Sequence, residues 1–185
     1  MQDGKAVQLL LNGEEHGHGH VVEKLLKRAE RLECLVAFAK ISAIGDLLKP
    51  LRKALEGGLK ARFAIGLDFY LTEPEALRQL FALAEKHALV LYLSNASDTF
   101  HPKIYAFQNG KQCSVIVGSA NLTHGGFYGN YEASALIDDA SGALMASVTR
   151  HLDALVADRI LVPATKPRID AYEREYIIHD TCRKV

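Results

Sequence analysis

With 185 residues the chain is long enough for one domain with a substantial buried core. Its apolar content of 49% and charged content of 24% are those of a folded globular protein, and no apolar run reaches the roughly 18 residues of a membrane span. The formal net charge of zero excludes a uniformly cationic surface, but the charge is unevenly placed: residues 23–62 carry ten Lys/Arg against five acids, and residues 63–100 five acids against two bases. The basic stretch offers a surface that can follow a phosphate backbone; solvated helix faces with i,i+4 ion pairs are the plainer reading.

In chain order, strand and helix patterns alternate. Ala6–Asn12 reads as a first strand, followed by a Gly/His-rich link over Gly13–His20. Val21–Leu32 has helical spacing, with Leu25, Leu26, Ala29 and Leu32 on one side. Glu33–Lys40 is an apolar run of strand length. Ser42–Leu55 is helical in pattern, and Pro50 is expected to kink it or start a second piece before Gly57-Gly58 ends it. Lys60–Leu67 reads as a strand and Pro74–His87 as a helix with proline near its first position. Strands follow over Ala88–Ser94 and His101–Gln108, a hairpin turn at Asn109-Gly110, and strands over Gln112–Gly118 and Tyr131–Ile137. Ser141–Leu155 is an amphipathic helix. A central mixed sheet covered by helices on both faces is the expected architecture, an α/β/α sandwich. Residues 1–160 are expected to form this domain. Residues 161–185, which open with Pro163 and Pro167 and continue charged with scattered Tyr and Ile, are expected to be a C-terminal extension or linker, or a terminal helix packing on the domain or on a partner.

Cys34, Cys113 and Cys182 are odd in number and lack CxxC spacing, which argues against a disulfide framework and a zinc knuckle; Cys34 and Cys113 sit in apolar strands as buried thiols. The N-terminal residues lack the basic start and apolar stretch of a secretory signal, so a cytoplasmic chain without a membrane partner is expected.

The chemistry concentrates in residues 101–132. His101 and Lys103 are two apart in a strand, which points both at one target. Fifteen residues beyond Lys103 begins the turn Gly118-Ser119-Ala120-Asn121, which can bring an amide and backbone N–H groups alongside, and Glu132 follows eleven after Asn121. An imidazole, a fixed cation, an amide donor and a carboxylate suit phosphodiester chemistry that uses no metal. Ser119 reads equally as a turn-capping residue, His124 as a solvated loop histidine, and Tyr105 as a core residue that shares the His101 face. His16, His18 and His20 alternate in HGHGH, yet no cysteine or paired acid completes a tetrahedral metal set; a loop near the active site, or a chance polar entry to the helix, is the preferred reading. Asp68 and Tyr70 follow a strand end, where ligands often meet open α/β sheets.

The stretch HPKIYAFQNGKQCSVIVGSANLTHGGFYGNYE resembles the catalytic signature of the phospholipase D superfamily, the HKD motif, with Gln108 where that motif has Asp. The resulting His-Lys-Asn-Glu set is similar to that of the metal-independent BfiI-type restriction endonucleases. The resemblance implies a phospholipase D-like α/β/α fold and catalytic roles for His101, Lys103, Asn121 and Glu132, with Glu132 supporting an imidazole. It also implies a substrate contact by Ser119 and no metal or other cofactor, while His124, close to the turn, and Tyr105, on the His101 face, are candidates for substrate contact by their positions. The mechanism needs two His-Lys sets and the chain holds one. A homodimer that shares one active site is therefore expected, as in single-motif Nuc-type and BfiI-type members. The expected activity is endonucleolytic cleavage of DNA, in preference to RNA, through a phosphohistidine, with a further domain or subunit left open for sequence recognition. The competing classes are a phospholipid-cleaving or phosphatidyl-transfer enzyme and an inactive DNA-binding or dimerisation module.

Overall fold

The computed structural model describes residues 5–13 and 17–183. Eight strands form one sheet: β1 Lys5–Leu11, β2 Arg31–Val36, β3 Lys60–Ile65, β4 Leu89–Ser94, β5 Lys103–Asn109, β6 Gln112–Gly118, β7 Ala133–Asp139 and β8 Leu161–Pro163, in the order β1-β7-β6-β5-β2-β3-β4-β8. β2, β3 and β4 are mutually parallel, while β5 runs antiparallel to β2 and continues the antiparallel set β5-β6-β7-β1. The sheet is mixed, as the hairpin between two strand-helix repeats requires. Gly110 takes the left-handed φ of +57° that closes that hairpin.

Among the described residues five α-helices cover the sheet unequally. α1 (His18–Leu26), α2 (Ile41–Glu56), α3 (Pro74–Ala84) and α5 (Lys166–Arg183) pack on one face, where Leu26, Ile44, Leu51, Leu77, Leu80 and Ile169 meet Cys34, Phe63, Ile65, Leu91, Tyr105 and Ile116. α4 (Ala143–Ala157) stands alone on the other, with Met145 and Leu152 against Ala106, Val115, Leu35 and Ala64. Buried Glu33 ties that side together, bonding Arg31 and Arg62 while Arg62 reaches Asp153 of α4.

Two local expectations change. The first helix begins three residues earlier than its apolar period suggests, at His18, and ends at Leu26; Leu32 belongs to β2, because Glu30 and Arg31 are drawn into the ladder with Gln108. α2 runs unbroken through Pro50. The carbonyl that Pro50 leaves without a helical donor is that of exposed Asp46, open to water, while buried Ala43, Ile44, Leu47, Leu51 and Leu55 press both halves onto the sheet. Residues beyond 160 pack into this same body: β8 pairs with β4, and α5 inserts Ile169 and Tyr172 into the large core. Cys34 and Cys113 are buried, and burial pushes both thiols up, away from the reactive thiolate.

Candidate active site

The carboxyl ends of β2, β3, β4 and β6 and the starts of β5 and β7 lie at one edge of the sheet, and the conspicuous polar residues gather there. After β4 the chain crosses to β5 through Asn95–Pro102. Phe100 is buried, and its N–H donates to Asp68 Oδ2 at 3.1 Å, which anchors the backbone immediately before His101. His101 itself lies just ahead of the strand and is exposed; Lys103 starts β5 opposite Val36. The two side chains meet as the i,i+2 spacing predicts. Lys103 Nζ lies 2.7 Å from His101 Nδ1 and 3.1 Å from Nε2, and donates to the His101 carbonyl at 3.2 Å. Partial burial pushes the Lys103 ammonium below the usual lysine value, with the Glu132 carboxylate pulling the other way.

The Gly118–Asn121 turn closes the other side. Gly118 is register-paired with Ser134, and a Cβ on it would lie 2.3 Å from Ser134 Oγ, so only glycine lets β6 end this close to β7. Ser119 Oγ accepts the Ala133 N–H at 3.0 Å and donates to Glu132 Oε2. Asn121 is buried, and its Oδ1 accepts the Phe38 N–H at 3.3 Å. Its NH₂ group is thereby turned away from Phe38, with no acceptor for it among the described residues. Glu132 completes the cluster: its Oε1 accepts from Asn130 Nδ2 at 3.2 Å. Its carboxylate oxygens are thus engaged with Ser119 and Asn130, and the His101 ring contacts Lys103.

Tyr105 takes the core place that is the plainer of its two readings. It is 3% exposed and its hydroxyl donates to the Ala120 carbonyl at 3.0 Å, so it props the turn from beneath and has no face open for a base. His124 is exposed at the outer end of the turn, with Nδ1 3.1 Å from Asp46 Oδ2. Of the three alternating histidines, His16 lies outside the described residues. His20 packs edge-on to Tyr128 with ring centroids 5.6 Å apart, and His18 is buried directly behind the site.

His18 and Asn12 are neighbours of the candidate site that spacing alone could not place. Asn12 Nδ2 donates to the carbonyls of Gly126 and Asn130, both at 3.0 Å, and its Oδ1 lies 2.6 Å from His18 Nδ1; His18 Nε2 lies 2.7 Å from Ser134 Oγ. The only available signal was the clustering of HGHGH behind a strand-ending asparagine. Burial pushes the His18 imidazole below its ordinary value, with Glu132 opposing. The native state therefore binds fewer protons than the unfolded chain once pH falls below the ordinary value of about 6.5, and stability declines from there until the native value is passed. The stability gap between wild type and His18→Gln is expected to narrow between about pH 8 and about pH 5 as wild type loses this contribution. Urea melts at both pH values check it, and a constant gap would contradict it.

An exposed imidazole–ammonium pair, a buried amide and a hydroxyl–carboxylate pair thus lie together at one end of a mixed sheet with helices on both faces, the class of fold and candidate site that the family signature implies. The family model described as "Cardiolipin synthase, PLD-like domain" matches residues 2–156, and the chain belongs to that phospholipase D-like family. Among solved structures the fold is similar to Nuc, a phospholipase D family member from Salmonella typhimurium (TM-score 0.66, 17% identity, 88% of this chain and 99% of that one). It is also similar to NucT from Helicobacter pylori (TM-score 0.62, 12% identity, 86% and 99%). A third likeness is to phosphatidylserine synthase from Haemophilus influenzae Rd KW20 (TM-score 0.64, 16% identity, 89% of this chain and 41% of that one). No curated protein matches the chain. Among the described residues no helix is long and apolar enough to cross a membrane.

Proposed function

We propose that the protein is a metal-independent endonuclease that hydrolyses DNA through a phosphohistidine, at an active site completed by two copies of the chain. The observation that carries this reading is the lone His101–Lys103 pair, exposed at the sheet end beside the Asn121 amide and the Ser119–Glu132 pair. A phosphodiester is an anion that repels nucleophiles, so it must first be neutralised. Lys103 Nζ and Asn121 Nδ2 are the donors for the non-bridging oxygens, where negative charge builds in the pentacoordinate transition state. An unprotonated ring nitrogen of His101 attacks phosphorus, and the partner's His101 gives its proton to the departing oxygen. The same imidazole then takes a proton from water, the new P–O bond forms and the P–N bond to His101 breaks. Each step of this acid–base help is worth about 10²–10⁴-fold. Glu132, its oxygens held by Ser119 and Asn130, is the carboxylate that steadies an imidazolium in this scheme.

The need for a second imidazole is matched by an uncovered apolar face. α4 packs over β5, β6 and β8, while Val7, Leu9 and Leu11 of β1 point to that same side and are 67%, 73% and 51% exposed, beside Ala135 and Ile137 of β7 and exposed Val117 of β6. This strip ends at the Leu11–Ala133 row, next to Glu132 and the Gly118–Asn121 turn. A second copy seated on it would cover the apolar surface and come up against the site.

Incubating the protein with supercoiled plasmid in EDTA tests the activity; nicking is expected, and a requirement for Mg²⁺ would overturn the scheme. Lys103→Ala is expected to lower kcat about 10²–10³-fold with the far-UV circular dichroism unchanged, and a near-normal rate would remove Lys103 from the phosphate site. A second reading, transfer or cleavage of a phospholipid head group, is favoured by the family model's description and by the likeness to phosphatidylserine synthase. Head-group release from phospholipid vesicles without plasmid nicking would select it. DNA binding with neither reaction would select a non-catalytic module.

A further inference from the structure

We infer that His18 is a positioning residue of the centre, which holds Glu132 and Ser119 in place from behind through Asn12 on one side and Ser134 on the other. The inference rests on the catalytic reading above for its kinetic consequences. His18 is 1% exposed, so it touches no substrate, and neither the motif nor the proposed chemistry uses it.

The hydrogen bonds define its state. Asn12 Nδ2 is committed to two carbonyls, those of Gly126 and Asn130, so the group facing His18 is the Oδ1 acceptor. That oxygen accepts both the His18 backbone N–H at 3.1 Å and the ring Nδ1–H at 2.6 Å. The proton is therefore on Nδ1. Nε2 is left as a lone pair, which accepts the Ser134 hydroxyl at 2.7 Å. A neutral imidazole is the form that can donate one way and accept the other, and burial favours the same form.

Both partners lead to the site. Asn130, held by Asn12 through its carbonyl, donates its own side-chain amide to Glu132 Oε1. Ser134 is two residues along the chain from Glu132 and sits opposite Gly118, immediately before Ser119. The imidazole thus clamps the Gly125–Asn130 turn and the β6–β7 junction against each other, and Glu132 with Ser119 lies between the two anchors. The approach of α1 is equally specific: a Cβ on Gly19 would overlap the Tyr128 ring at 2.2 Å, so the helix start can lie on this turn only with glycine beside His18.

The test is plasmid nicking in EDTA by wild type, His18→Ala, His18→Asn and Ser134→Ala, with circular dichroism and light scattering on each. A misplacement of about 1 Å at a reacting centre costs about 10²-fold. His18→Ala is accordingly expected to lose about 10²-fold in kcat with KM within about twofold. His18→Asn, whose Nδ2 can replace Nδ1 toward Asn12, is expected to recover about tenfold of this. Ser134→Ala, which removes only the Nε2 bond, is expected to lose about tenfold and serves if His18→Ala does not fold. Unchanged kcat in folded variants, or equal losses in His18→Ala and His18→Asn, would overturn the inference. If wild type itself does not nick DNA, the catalytic reading fails and the positioning claim is still decided by ¹⁵N NMR of the wild-type imidazole. A resonance pair of the Nδ1–H tautomer is expected, and an Nε2–H tautomer or an imidazolium at neutral pH would refute it.

Discussion

Replacing wild-type protein by His101→Ala protein at constant total concentration is expected to lower plasmid nicking as the square of the wild-type fraction. A site that needs one imidazole as nucleophile and another as acid works only in dimers that carry both, so at equal amounts and full exchange about a quarter of the activity should survive. Two independent sites would leave about half. The pure His101→Ala protein should fall by about 10⁴-fold or more, the scale on which removal of a covalent nucleophile acts. Because His101 is exposed and among the described residues its ring bonds to Lys103 alone, the stability of His101→Ala should be that of wild type. A linear dependence on wild-type fraction, with the alanine protein inactive, would assign the whole reaction to one chain and sink the shared centre.

Leu9→Arg is expected to leave a folded monomer that does not nick DNA. The side chain is 73% exposed in the single chain and points away from the helices of the large core, so the fold should change by no more than about 0.5 kcal/mol. Buried at a two-fold interface, the same guanidinium would have no partner and would face its own copy. Such an unpaired charge costs about 3–5 kcal/mol, or between two and four powers of ten in the dimer dissociation constant. Light scattering over a concentration series and the nicking assay should fail together. A variant that remains dimeric and active would move the interface off the Val7–Leu9–Leu11 face.

The two proposals constrain each other through the geometry of the sheet end. The residues expected to act, His101, Lys103, Asn121 and Glu132, were legible because their types and spacing survive any detail of packing: a strand aligns i with i+2, and Gly118 has to be glycine to end β6 against Ser134. Tyr105 reads in the sequence as a core residue and also as a candidate for substrate contact, because strand alternation tells which face a residue takes and not how deep along the strand the covering helices reach. Here Phe127 of the Gly125–Gly129 turn lies 5.8 Å from its ring and closes it off. The helix over Val21–Leu32 was placed late because leucines at 25, 26 and 32 satisfy a helical period across a boundary that strand pairing with β5 decides. Pro50 reads as a kink or the start of a second piece since the sequence does not reveal that the residue whose carbonyl it strands, Asp46, is exposed.

The residue order alone determined the alternating architecture, the hairpin at Gly110 and the family signature, because local periodicity and turn stereochemistry act over a few residues and need no knowledge of the rest. Tertiary structure alone decided that α4 leaves β1 and β7 bare, and that Asn12, His18 and Ser134, from three separate segments, converge behind Glu132. Those features depend on how elements far apart in sequence come to share a face or a buried hydrogen bond, and that is set by the competition among all helices for the sheet and not by any short stretch of chain.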